Sequence, residues 1–88
     1  DLVLELGREA SVDEINSAIK AKADKGALAG ILEYTEDPIV SSDVIGSSYS
    51  SVFDSKLTMA NGKMAKVISW YDNEFGYSNR VVDLLQRV

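Results

Sequence analysis

Leu2, Leu4 and Leu6 alternate with Val3, Glu5 and Gly7, which puts three leucines on one face of an extended segment and predicts a strand over residues 1–7. The period then changes. Ser11-Val12-Asp13-Glu14 has the form of a capping box: the serine oxygen accepts an orphan amide hydrogen and Glu14 reaches back, with Ala10 and Ile15 as a small hydrophobic staple. Val12, Ile15 and Ile19 follow at helical spacing. Asp13 and Glu14 lie at the positive end of the helix dipole and Lys20, Lys22 and Lys25 toward the negative end, so a helix is predicted from Ser11 to a stop at Gly26.

Ile31 to Thr35 carries β-branched and aromatic residues and ends at Glu36-Asp37-Pro38, which predicts a strand and a turn. Ile39 to Ile45 reads as a short extended or single-turn segment, and the serine-rich stretch from Gly46 to Ser51 as a loop feeding a short strand around Val52 and Phe53. Leu57 to Ala60 and Met64 to Tyr71 flank Asn61-Gly62, the signature of a hairpin with a type I′ turn. Asp72 or Asn73 then caps a last helix, in which Val81, Leu84, Leu85 and Val88 form one apolar stripe that needs a surface to lie on. The order predicts an α+β fold, a mainly antiparallel sheet with helices on one face.

At 88 residues the chain is one small domain, and it buries only roughly 60 to 65% of the surface exposed by its unfolded form. Contacts beyond the chain therefore matter to its stability. A composition of 45% hydrophobic and 26% charged residues with one proline is that of a folded globular protein. The net charge of −5, with no basic stripe, speaks against a nucleic-acid partner. No segment approaches the ~18 apolar residues of a membrane span, and the first residues lack the form of a signal peptide, so a cytoplasmic protein is expected. The only methionines are Met59 and Met64, so a processed chain or a fragment is expected too.

Chemistry is scarce. There is no cysteine and no histidine, which removes the thiolate nucleophile, the usual general base and the usual zinc ligands, so no catalytic or metal-ligating residue is assigned. Glu36 with Asp37 and Asp72 with Glu74 read as a turn and a helix start rather than as acid and base. Gly26-Ala27-Leu28-Ala29-Gly30 follows a helix and precedes a strand, the reverse of a phosphate loop. Trp70 to Arg80 differs, with three aromatics beyond the tryptophan, an amide and a glycine crowded into the passage from strand to helix. One reading is a corner packed by rings. The other is that Asn73 presents donors and an acceptor in a fixed fork, which a primary carboxamide matches in both senses.

Ser69-Trp70-Tyr71-Asp72-Asn73-Glu74-Phe75-Gly76-Tyr77-Ser78-Asn79-Arg80-Val81-Val82-Asp83-Leu84 resembles the closing signature of the phosphorylating glyceraldehyde-3-phosphate dehydrogenases. Gly30 to Pro38 with Val40-Ser41-Ser42-Asp43 resembles the segment before it, and Ala10 to Asn16 and Ser50 to Asp54 extend the likeness over nearly the whole chain. The resemblance implies the C-terminal half of that family's catalytic domain over residues 1–76, and over 77–88 a final helix that packs on the family's NAD-binding domain. It implies that Asn73 hydrogen-bonds the nicotinamide carboxamide of NAD, that Tyr77 stands beside the ring, and that the cofactor is held mainly by residues outside this chain. It implies a homotetramer whose catalytic-domain sheets face one another.

Three departures stand out. The family's catalytic cysteine and histidine are absent, so the chain alone is expected to complete no chemical step. Arg8, Arg80 and Arg87 do not take the roles of its phosphate-binding residues. Ala27, Ala29 and Tyr49 stand where the family often has a proline, a lysine and a histidine. The rival reading is an independent, non-enzymatic module that self-associates through its sheet face.

Overall fold

In the computed structural model, which describes residues 1–88, the elements run β1 (Leu2–Glu5), α1 (Val12–Asp24), β2 (Leu32–Thr35), β3 (Ser51–Asp54), β4 (Met59–Asn61), β5 (Met64–Val67), β6 (Ser69–Trp70) and α2 (Phe75–Gln86). The fold is α+β. The capping box forms in full: Glu14 N donates to Ser11 Oγ and Ser11 N donates to Glu14 Oε1, both at 3.1 Å. The Ser11 amide and the Arg8 guanidinium, each 3.1 Å from a Glu14 carboxylate oxygen, hold that carboxyl below its ordinary range. Residues 39–45 contain a single 3-10 turn, Ser41–Val44.

The strands form two three-stranded sheets rather than one. The first, in the order β1-β5-β4, is antiparallel throughout. The second has the order β2-β3-β6, with β3 antiparallel to β6 but parallel to β2. That parallel pair needs a long crossover, which residues 36–50 supply. Met64 to Tyr71 is not one strand. Val67 still pairs with Leu2 of β1, whereas Ser69 pairs with Phe53 of β3, so the chain changes sheets at Ile68, whose carbonyl accepts from Asp54 N at 3.0 Å.

The hairpin forms, with a different turn. Asn61 pairs with Met64, which leaves Gly62-Lys63 as the two-residue loop. Gly62 has φ +61°, and no residue other than glycine has a positive φ, so Lys63 cannot occupy the second left-handed position of a type I′ turn. Glycine at the first loop position with an ordinary residue after it is the type II′ pattern.

The buried apolar residues are Val44, Val52, Phe53 and Ala65, with the Tyr34 ring 5.7 Å from that of Phe53. Buried polar groups lock the sheets to α1. Asn16 Nδ2 donates to Ser55 O at 3.0 Å while its Oδ1 accepts from Thr58 Oγ1 at 2.6 Å, and Ser55 Oγ donates to Thr35 O at 2.7 Å. No buried side-chain nitrogen or oxygen is left without a partner. No helix is long and apolar enough to cross a membrane.

Candidate functional site at the β6–α2 corner

The corner starts from an edge strand that is pinned to β3 by backbone and side chain alike. Pairing with β3 fixes its backbone, and Trp70 Nε1 donates to Oδ2 of the buried Asp54 at 3.2 Å, which fixes its ring. Ser69 adds a side-chain hydrogen bond to Ser51 Oγ.

Asp72 then makes the bend. Its Oδ1 accepts from Glu74 N at 2.8 Å and Phe75 N at 2.7 Å, an Asx turn that also satisfies donors at the start of α2. Its Oδ2 accepts from Gly46 N at 2.9 Å and so ties the corner to the crossover loop. The sequence allows Asp72 or Asn73 as the cap; the N-cap position itself falls on Glu74, which makes no side-chain cap bond, and Asp72 is the one of the two candidates that bonds the amides there. Its carboxyl is held below the ordinary aspartate range by the amides of Phe75, Gly46 and Glu74. A third constraint comes from Gly76, where a Cβ would stand 2.7 Å from Tyr49 O. Only a residue without a side chain lets α2 approach the loop this closely.

Asn73 lies between these fixed points. It is exposed, and its carboxamide takes part in none of the bonds that shape the bend. It lines an open cleft of about 540 Å³ with Ser41, Ser42, Ile45 and Tyr71. The only charged side chains on the cleft are those of Asp72 and Glu74. Such a wall offers hydroxyls, an amide and negative charge; it suits a neutral carboxamide or a cationic ring and disfavours a phosphate. Tyr77 is not brought into this cleft. It lies within α2 with 74% of its surface exposed.

Sequence reading did not foresee the second half of the clamp, the Gly46 amide on Asp72 Oδ2, nor the contact that requires Gly76. Both depend on where the crossover loop returns, which no local pattern encodes. No group of three or more His, Cys, Asp or Glu residues stands in a metal-binding arrangement.

Comparison with known proteins gives a consistent result. The family described as glyceraldehyde 3-phosphate dehydrogenase, C-terminal domain, matches residues 1–73. A glyceraldehyde-3-phosphate dehydrogenase of Streptomyces coelicolor is 61% identical over 85 residues, 96% of this chain and 25% of the relative. One from Mycobacterium bovis is 58% identical over the whole chain, 26% of the relative, and one from Schistosoma mansoni 58% identical over 97% of the chain and 25% of the relative. The chain thus spans about a quarter of the length of the curated relatives it matches. The chain belongs to the glyceraldehyde 3-phosphate dehydrogenase family, within its C-terminal domain.

Proposed function

We propose that this chain is the C-terminal part of a cytoplasmic, NAD-dependent enzyme that converts glyceraldehyde 3-phosphate and phosphate to 1,3-bisphosphoglycerate. Within that enzyme it contributes scaffold, one contact to the nicotinamide carboxamide and subunit surface. NAD, when bound, supplies the hydride acceptor. The observation that carries the reading is the Asn73 carboxamide, uncommitted within the chain and held on a bend that Asp72 clamps from two sides.

An amide held this way can donate to and accept from a second carboxamide, which selects the ring face turned toward the substrate. Its role is orientation, and it takes no part in bond making. The acidic, hydroxyl-bearing cleft fits the carboxamide end of the cofactor and leaves its phosphates to residues elsewhere in the polypeptide. Tyr77, one helical turn further on and outside the cleft, offers its exposed ring to the part of that ligand that extends beyond the cleft.

Residues 1–76 form part of the catalytic domain, and 77–88 dock on the NAD-binding domain through the apolar stripe of α2. Val3, Met59 and Met64, exposed on one face of the first sheet, support its use between subunits of a homotetramer.

The test is Asn73→Ala in the complete enzyme. NAD affinity and the rate of hydride transfer should both fall, by about 1–3 kcal/mol for a buried partner left unsatisfied. Wild-type kinetics together with wild-type cofactor binding would remove the assignment. The 88-residue chain by itself, without thiolate or imidazole, should form no NADH from aldehyde and phosphate; turnover by the pure chain would contradict the reading.

A further inference from the structure

We propose that Asn61 is a self-modifying position, at which the following backbone nitrogen converts the side-chain amide to an aspartyl or isoaspartyl residue in the folded protein. The chemistry needs an asparagine, an unhindered and uncommitted amide nitrogen after it, and access for water. In the reaction a base takes the Gly62 amide proton, the nitrogen bonds to Asn61 Cγ, and the Cγ–Nδ2 bond breaks. The departing nitrogen takes up a proton and leaves as ammonia. Water then opens the five-membered imide at either carbonyl; one opening gives aspartate, and the other routes the main chain through the side-chain carboxyl. No oxidant or reductant is required.

Four asparagines are present, at 16, 61, 73 and 79, and the structure separates them. Asn16 is inside α1 with both ends of its amide hydrogen-bonded. Asn79 is inside α2, its Nδ2 donating to Phe75 O at 2.8 Å. After Asn73, the attacking nitrogen would be that of Glu74, which is committed to Asp72 Oδ1 at 2.8 Å.

Asn61 alone precedes glycine, and the Gly62 nitrogen takes part in none of the hydrogen bonds around the turn. The one atom within 4 Å of a Cβ placed on Gly62 is the end of the flexible Glu9 side chain, at 3.9 Å, so solvent reaches the turn. Asn61 is itself exposed and ends β4, a three-residue strand at the sheet edge. A strand this short and paired on one side only opens locally at small cost, which frees the backbone rotation that ring closure needs. Asn61 also lines the shallow groove formed by Val3, Met59 and Met64, so conversion places a new negative charge on that apolar face.

The test incubates the complete native protein in mildly alkaline buffer and follows the tryptic peptides by mass spectrometry, with isoaspartyl methyltransferase labelling as a second readout. The peptide Leu57–Lys63 should gain the mass of the amide-to-acid exchange and accept methyl groups, while Glu9–Lys20 and Val67–Arg80, which hold the other three asparagines, should not. Asn61→Gln, which would have to close a larger ring, should lose the signal. The proposal is overturned if Leu57–Lys63 keeps its amide in the native protein under conditions that convert the urea-unfolded chain. It is equally overturned if Val67–Arg80 converts as fast.

Discussion

At Asp72 one carboxylate serves three backbone donors from two parts of the chain, and its charge state sets the geometry of the residue next to it. Its pKa in the folded chain lies below that of the unfolded chain, so between those two values the unfolded chain binds the proton more readily. The stabilisation is therefore complete above the ordinary aspartate range and is lost as pH falls through the lowered value. Carbon-13 titration of the Asp72 carboxyl should show a midpoint below that of an unfolded reference peptide; an unshifted midpoint would remove the clamp. Asp72→Asn separates its two halves. An amide oxygen can still cap Glu74 and Phe75, but its NH2 group then faces the Gly46 N–H, donor against donor. Hydrogen exchange at Gly46 should accelerate while exchange at Phe75 stays slow. The sequence names Asp72 and Asn73 as equal candidates for the cap because both side chains accept hydrogen bonds. The choice is made by the returning loop, which brings a third donor that a carboxylate alone can serve without losing the others.

Among the elements, α1 was readable nearly to the residue, since a capping box and an apolar spacing are both encoded within a few positions of each other. α2 is readable as a helix but not in its orientation. It turns Gly76, Asn79, Arg80 and Asp83 toward the chain, with Arg80 Nη1 donating to Ser50 Oγ at 3.0 Å, and leaves Val81, Leu84 and Leu85 exposed. An amphipathic pattern identifies the stripe and not which body covers it. The strands divide along the same line. The β4–β5 hairpin is local and legible, whereas the change of sheets at Ile68 and the parallel pairing of β2 with β3 are set by distant partners. Gly76 holds α2 at its distance from the loop, so Gly76→Ala should push the helix away from Tyr49 and cost about 1–3 kcal/mol as a small-to-large change against backbone. Gly7→Ala, which meets nothing within 4 Å, is the control. Denaturant melts of the two variants should separate clearly; equal midpoints would show that the close approach carries no weight.

The molecule as a whole presents more surface than its size requires. Its accessible area is 6217 Å², against about 5,100 Å² for a monomer of 9.6 kDa. Its radius of gyration is 14.1 Å, where about 12 Å is usual for this length. The excess of about 1,100 Å² exceeds the share of one partner in a standard protein interface, and two apolar regions stand open on this surface. One is the sheet face of Val3, Met59 and Met64; the other is the α2 stripe. On the proposed function the two differ in what covers them, a second subunit in the first case and another part of the same polypeptide in the second. Charge substitutions in the complete protein distinguish the two kinds of contact. Met59→Glu with Met64→Glu keeps a complementary neighbour in Lys66, which lies across from Met59. This variant should lower the assembly state in sedimentation while circular dichroism stays unchanged. Leu84→Glu with Leu85→Glu should instead lower the melting temperature and expose dye-binding surface within the subunit, because an intramolecular face cannot be lost by dissociation. If the sheet variant sediments as the wild type does, the face between Val3 and Met64 is not a subunit contact.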